Sequence, residues 1–149
     1  MVDQHEAMKA TNQFRFTPPT HSILAFKQAL LELEKEGGSK ARYARYSENH
    51  RIVREGLTSL GFRELVPINE QSKIINTFFY PKDSNFKFEE FYKRLSQKDK
   101  IIYPGKMTKA LCFRIGNIGD LHPKDMHDLI TAIKEALTEM NVKLPVEST

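Results

Sequence analysis

The sequence predicts an α/β chain with a short, mostly antiparallel sheet, helices packed on one face of that sheet, and a long connecting helix before it. Three observations carry this prediction. Apolar residues recur at helical spacing over 23–33 and most clearly over 43–60. Two short apolar segments, 101–103 and 111–115, follow closely enough to be paired antiparallel strands. A further segment with apolar residues at helical spacing starts near Pro123.

The first elements of the chain are predicted to be helices. Residues 1–16 are polar with scattered aromatics and are typical of an arm that packs against nothing. The Thr-Pro-Pro segment at 17–19 predicts a helix start, because threonine caps a first turn and proline is tolerated there. The glycine pair at 37–38 predicts the end of that helix. A second, longer helix is expected from a cap at Ser39 to Gly61.

This second helix carries the clearest periodic signal in the sequence. Its larger side chains alternate at spacings of three and four, which places them on one helix face. They are Tyr43, Tyr46, His50, Val53, Leu57 and Leu60. The spacing therefore predicts an amphipathic helix that connects the start of the chain to the sheet.

Strands and helices are predicted to alternate in the rest of the sequence. Residues 74–80 are β-branched and aromatic, so they predict a strand, and a turn follows at 81–84. Apolar residues within 88–95 predict a short helix, and 101–103 predict a short strand. The last helix is expected to start at about Pro123, where proline suits the first turn.

The strand predicted at 111–115 contains the main candidate binding residue. Its alternation places the odd-numbered apolar residues on one face and Cys112 and Arg114 on the other. Arginine presents a planar fork of donors that matches a carboxylate. Gly116 and Gly119 follow, and glycine allows a close approach between backbone and ligand. The spacing alone fits a solvated arginine equally well.

The helix start at 17–20 is the second candidate site. Free N–H groups and the helix dipole favour an anion at such a position, and the hydroxyls of Thr17 and Thr20 add donors. The alternative is a capped helix that binds nothing. Taken with Arg114, the segment indicates a pocket for a small carboxylate and a phosphate.

The other reactive residues give weaker evidence for a functional site. Lys106 follows a strand and would form a Schiff base if desolvated, but Lys100 and Lys109 nearby favour an exposed basic loop. Cys112 is predicted to be a core residue and not a nucleophile. The five histidines show no metal-ligand spacing, so no metal site is expected.

Composition limits the classes of partner. The 149 residues suit one domain, and 23 basic and 19 acidic residues are interspersed, so the net charge of +4 does not predict nucleic-acid binding. No stretch approaches the roughly 20 apolar residues of a membrane span. The single cysteine and the lack of an apolar leader predict a cytoplasmic protein without disulfides.

Seven short segments together carry a resemblance to a known family. They occur in the family's order between about residues 3 and 137, at 13–21, 36–38, 41–43, 45–46, 80–83, 101–106 and 113–120. The sequence resembles the C-terminal part of the 2-aminoethylphosphonate–pyruvate transaminases, which are class V aminotransferases with the type I fold of pyridoxal-phosphate enzymes.

The resemblance implies a fold, an activity and two site residues. The fold is the small C-terminal domain of a type I pyridoxal-phosphate transferase. The activity moves the amino group of 2-aminoethylphosphonate to pyruvate in phosphonate catabolism, giving phosphonoacetaldehyde and alanine, in a homodimer with active sites at the subunit interface. Thr17 occupies the position that contacts the cofactor phosphate in the neighbouring subunit's site. Arg114 occupies the position that binds the acidic group of the substrate.

The resemblance also implies what this stretch of the family does not contain. The lysine that carries the cofactor, the aspartate beside the pyridine nitrogen and the aromatic that stacks on the ring all belong to upstream family segments, and Lys106 does not replace that lysine. Phe14 stands where the family usually has tryptophan. The chain alone is therefore expected to be inactive, and to require a homodimer or a complementary large-domain chain.

Four regions are expected from these observations: an arm at 1–16, a helical segment at 17–60 that leads to a large domain, a small α/β domain at 61–141, and a tail at 142–149. Part of the helix after Thr17 would pack on the large domain, which predicts an exposed apolar patch or self-association here. The sequence leaves open a piece of a longer enzyme, one half of a split gene, or a remnant. The alternative function is a non-catalytic module that keeps the small-domain fold and binds a partner.

Overall fold

The computed structural model describes residues 2–105 and 110–147. It divides into two compact units, Met1–Arg42 and Tyr43–Thr149.

The first unit is helical and contains no buried residue among those described. It comprises α1 (Val2–Thr11), α2 (Thr20–Glu36) and the start of α3 (Gly38–Ser59). Within the segment predicted as an arm, residues 2–11 form a helix that was not predicted and that buries no side chain. Apolar periodicity did not reveal α1 because the helix buries none of its side chains and so needs no apolar stripe. The predicted end of α2 is confirmed, with Gly37 at a left-handed φ of 102°.

The second unit contains the predicted antiparallel sheet. Its strands are β1 (Ile75–Phe79), β2 (Tyr103–Pro104) and β3 (Cys112–Gly116), arranged in the order β1-β3-β2 with both pairs antiparallel. Its other elements are the larger part of α3, a short 3-10 helix (Ile68–Glu70), α4 (Phe88–Ser96) and α5 (Pro123–Glu139). These assignments confirm the fold predicted from periodicity, since every element predicted after residue 43 is present.

One face of the sheet packs against the helices in an apolar core. Phe113 lies at its centre, with ring centroids 5.5 Å from Phe62, 5.9 Å from Phe78 and 5.7 Å from Phe91. Helices α3, α4 and α5 contribute Val53, Leu57, Leu95, Ile133 and Leu137, which are all fully buried. The core therefore holds one face of β1 and β3 inward and leaves the opposite face for Arg114.

The predicted tail is instead packed over its described residues. Val142 and Val146 are each 5% exposed and belong to the core. The Val146 amide donates to the Leu60 carbonyl at 2.8 Å, and the Lys82 amide donates to the Glu147 carbonyl at 2.7 Å. None of the helices in the described part of the chain combines the length and apolar character that crossing a membrane requires.

Candidate functional site

Arg114 lies in the central strand of the sheet, on the face opposite the aromatic core. It is paired with Thr77 of β1 on one side and with Tyr103 of β2 on the other. Cross-strand partners point to the same face, so these three side chains form a row across the sheet. Phe113 and Ile115, its neighbours in β3, are buried on the core side. The predicted alternation is therefore confirmed for Phe113, Arg114 and Ile115, but it is wrong for Leu111, which precedes β3 and is 74% exposed.

The guanidinium of Arg114 has one hydrogen bond among the described residues. Its Nη2 donates to the Pro104 carbonyl at 3.3 Å, while its Nε is buried without a partner in that part of the chain. No described carboxylate lies within ion-pair distance of it, whereas other described arginines, such as Arg51 and Arg94, pair with glutamates. The half-exposed Arg114 thus offers donors to an external anion.

The position of β2 beside Arg114 depends on Gly105. A Cβ at Gly105 would lie 2.2 Å from Sγ of Cys112 and 2.7 Å from the carbonyl oxygen of Cys112, which no real side chain tolerates. The Gly105 amide donates to that same carbonyl at 2.8 Å. Glycine therefore lets β2 lie close against β3, which places the Pro104 carbonyl at the guanidinium.

The glycine-rich turn after β3 is held by buried polar side chains that the sequence did not reveal as contributors. Asn117 is fully buried, and its amide nitrogen donates to the carbonyls of Tyr46 at 3.1 Å and Lys73 at 2.9 Å. Asn49 donates to the carbonyl of Leu121 at 2.8 Å. Asn117 and its partner Tyr46 lie in the family segments at 113–120 and 45–46, whereas Asn49 lies in none of the seven segments. The turn is thereby fixed to α3.

Backbone conformation explains only one of the two glycines at 116 and 119. Gly119 adopts a φ of 91°, which side-chain-bearing residues rarely adopt, and its amide donates to the hydroxyl of Tyr46 at 3.2 Å. A Cβ at Gly116 would meet nothing within 4 Å. The positive φ explains why residue 119 is a glycine, so a close approach of a ligand is not needed to explain Gly119.

Thr17 lies in the first unit, whereas Arg114 lies in the second. Thr17 is exposed and precedes α2, which begins at Thr20 with Pro19 at its N-cap and no side-chain cap. The hydroxyl of Thr20 donates to the Pro18 carbonyl at 3.3 Å. The predicted helix start at 17–19 is therefore three residues early and the threonine cap is wrong, because successive prolines hold their residues outside the helix.

An apolar face of α2 is uncovered within the first unit. No residue of this helix is buried. Its exposed large apolar side chains are Ile23, Leu24, Phe26, Leu30 and Leu31, with exposed fractions between 45% and 64%. This confirms the apolar patch expected from the sequence.

The remaining reactive residues form no second site among those described. Cys112 is buried, and burial raises the pKa of its thiol while the nearby Arg114 charge opposes that rise only in part. This matches the predicted core role. The residues that the structure describes contain no cluster of metal-binding side chains. Lys106 lies outside the described residues.

His50 makes stability depend on pH. The imidazole is 2% exposed, and burial, assisted by the charge of Lys73, lowers its pKa below the ordinary 6.5. Below pH 6.5 His50 binds a proton in the unfolded chain but remains neutral in the folded chain. The folded state therefore loses stability as the pH falls through 6.5. We expect the thermal midpoint of the wild type to fall more between pH 7.5 and 5.5 than that of His50→Gln. An equal fall in the two proteins would contradict this, and His127→Gln at an exposed site of α5 is the control.

Comparison with curated proteins finds 2-aminoethylphosphonate–pyruvate transaminases among the relatives of this chain. The chain is 53% identical over 136 residues to the 2-aminoethylphosphonate–pyruvate transaminase of Bacteroides fragilis, a match that covers 91% of this chain and 37% of the relative. It is 47% identical over 138 residues to the enzyme of the same name from Vibrio cholerae, covering 92% and 38%. No family model matches the sequence. The chain is thus similar to the C-terminal part of these transaminases and spans just over a third of their length.

Comparison with solved structures finds the same fold. The pyridoxamine–pyruvate aminotransferase of Mesorhizobium loti superposes with a TM-score of 0.82 at 22% identity, covering 97% of this chain and 37% of that one. The ureidoglycine–glyoxylate aminotransferase of Bacillus subtilis gives a TM-score of 0.79 at 15% identity, covering 96% and 37%. These likenesses show the fold, which is that of part of a type I aminotransferase.

Proposed function

We propose, from its similarity to the C-terminal part of 2-aminoethylphosphonate–pyruvate transaminases, that this chain is the small-domain portion of an aminotransferase. The reaction moves the amino group of 2-aminoethylphosphonate to pyruvate and yields phosphonoacetaldehyde and alanine. The observation that carries the proposal is the 53% identity over 91% of the chain to a transaminase of that name. Identity at this level, unlike the fold likeness, supports a shared substrate class.

Arg114 is proposed to bind the acidic group of the substrate. Both substrates carry such a group, a phosphonate in the amino donor and a carboxylate in pyruvate. The geometry supports this role, because the guanidinium has no described carboxylate partner and is held toward β2 by the Pro104 carbonyl. A charge-assisted pair with an external oxyanion would satisfy the donors that the chain leaves unused.

The proposed cofactor is pyridoxal 5'-phosphate, which supplies the electron sink of transamination when bound. Thr17 would contact its phosphate in the site of the neighbouring subunit. Thr17 is exposed, and no hydrogen bond of its hydroxyl occurs within the described residues, so the residue present fits a phosphate donor. The lysine that carries the cofactor would come from the large domain.

The proposed partner is a large domain, within a homodimer of the assembled enzyme. The uncovered face of α2 supports this, because this 17-residue helix carries five large apolar side chains that are each about half exposed or more. A large domain of the same subunit or a complementary chain would cover that face.

A fusion tests the proposed function. The matching C-terminal segment of the Bacteroides fragilis relative is replaced by this chain, and alanine formation from 2-aminoethylphosphonate and pyruvate is measured with added pyridoxal phosphate. We expect turnover by the fusion and none by the 149-residue chain alone. The amides of α2 should exchange more slowly with solvent in the fusion than in the chain alone, because the large domain covers the helix.

Two outcomes would count against the proposal. Turnover by the isolated chain would show that the chemistry does not require an upstream lysine. A folded, cofactor-loaded fusion without turnover would instead favour the non-catalytic module that keeps this fold. The unmodified relative is the positive control for both measurements.

A further inference from the structure

Tyr103 is the cross-strand neighbour of Arg114 in β2, at the proposed anion site. The strand register pairs Tyr103 with Arg114, and Thr77 with Arg114 on the other side. All three side chains therefore point to the sheet face opposite the aromatic core. Tyr103 is 54% exposed, so its phenol is accessible to a small molecule.

The guanidinium of Arg114 leans toward Tyr103 and away from Thr77. Its Nη2 donates to the carbonyl of Pro104, the residue next to Tyr103 in β2. Its Nε is buried, so a ligand does not reach that side of the fork. An incoming oxyanion therefore meets Nη1 and the remaining hydrogen of Nη2, on the β2 side of the strand.

The two acidic groups proposed for this site differ in shape. A carboxylate is planar and has two oxygens, which the two terminal nitrogens of a guanidinium satisfy together. A phosphonate is tetrahedral, so its third oxygen projects out of the guanidinium plane and requires another donor. A tyrosine hydroxyl is such a donor, and the register places Tyr103 on the side to which the guanidinium leans.

We propose that the Tyr103 hydroxyl donates to the third oxygen of a phosphonate held by Arg114, and so determines preference for a tetrahedral acid over a carboxylate. The proposal rests on the proposed function for the identity of the substrate. It adds a specificity-determining residue that transamination itself does not require, because the carboxylate of pyruvate needs only the guanidinium.

The first test is binding to the full chain, independent of catalysis. Methylphosphonate and acetate are titrated into the ¹⁵N-labelled chain, and the Nε–H signal of Arg114, assigned with Arg114→Lys, reports binding. Loss of a hydrogen bond to a charged group predicts that Tyr103→Phe weakens methylphosphonate binding by about tenfold or more. Acetate binding should change by less than about twofold, because it needs no third donor.

Thr77→Val is the matched control. It removes a hydroxyl from the other cross-strand neighbour of Arg114 while preserving side-chain shape, and the guanidinium leans away from that residue. We expect it to leave the ratio of methylphosphonate to acetate affinity unchanged. In the fusion, Tyr103→Phe should lower kcat/KM for 2-aminoethylphosphonate by about tenfold or more and leave kcat/KM for pyruvate within about twofold.

Several results would overturn the assignment of Tyr103. They are equal losses for both anions, no loss for either, a Thr77→Val effect as large as that of Tyr103→Phe, or no saturable methylphosphonate response at Arg114. Failure of the proposed function would give a different result, because the wild-type fusion would then form no alanine from 2-aminoethylphosphonate and pyruvate. In that case the binding measurements on the chain still decide the role of Tyr103.

Discussion

Truncation of Phe113 to alanine is expected to lower the free energy of unfolding by about 3–5 kcal/mol. Phe113 is fully buried and lies at the centre of the aromatic core, with the rings of Phe62, Phe78 and Phe91 within 6 Å. The surrounding rings belong to the sheet, α4 and the segment after α3, and they do not close together over the lost volume. The variant would therefore retain a cavity and lose the transfer free energy of a phenyl group. Equilibrium denaturation of the full chain, followed by far-ultraviolet circular dichroism, measures this difference.

Leu111→Ala is the matched control for this core prediction. Leu111 lies two residues before Phe113 and was predicted on the same face, yet it is 74% exposed because it precedes the paired part of β3. Its truncation should change stability by no more than about 0.5 kcal/mol. A loss below about 1 kcal/mol for Phe113→Ala, or similar losses for both variants, would show that the core is packed differently.

Removal of the Arg114 guanidinium is expected to have the largest effect on activity. A bidentate contact with an acidic substrate comprises two charge-assisted hydrogen bonds, each contributing roughly 1.5–3 kcal/mol. Arg114→Ala in the fusion should therefore lower kcat/KM for both substrates by about 10²–10⁴-fold. Arg114→Lys should restore only part of this, since an ammonium does not present the planar fork. Steady-state kinetics with each substrate varied in turn measures the loss.

A surface arginine provides the control for this prediction. Arg51 on α3 is half exposed and pairs with Glu48 and Glu55 of the same helix. Arg51→Ala should leave kcat/KM unchanged, because surface ion pairs contribute little. If Arg114→Ala retains wild-type kcat/KM while its circular dichroism is normal, Arg114 does not belong to the substrate site.

Local pattern predicted most of the second unit correctly because its elements bury one face. The stripe of α3 reflects packing against the core from His50 to Leu57, although Tyr43 at its start is 60% exposed, and the alternation in β3 does so at Phe113 and Ile115. A segment that buries no side chains needs no apolar periodicity, which explains why the helix at 2–11 was not predicted. The packed segment at 142–147 was missed because its contacts, such as Val146 against Leu60, are distant in sequence.

The helix start near Thr17 shows the limit of capping rules. Threonine followed by proline fits a helix start, but two prolines in succession hold the preceding residues outside the helix. The backbone therefore enters α2 at Thr20 and leaves Thr17 exposed. The role of Thr17 at a cofactor phosphate stays a proposal, since it depends on a neighbouring subunit.

The sequence by itself determined that the chain is α/β, that the strand at 111–115 carries an arginine on the face opposite Phe113 and Ile115, and that its segments resemble one transaminase family. These properties are local, because periodicity and residue chemistry are read from neighbours in the chain. Only the tertiary structure decided what surrounds Arg114: the Pro104 carbonyl that holds it, the contact of Gly105 with Cys112 that brings β2 close, and Tyr103 beside it. Strand order and register create these contacts, and both are set by which faces the core buries.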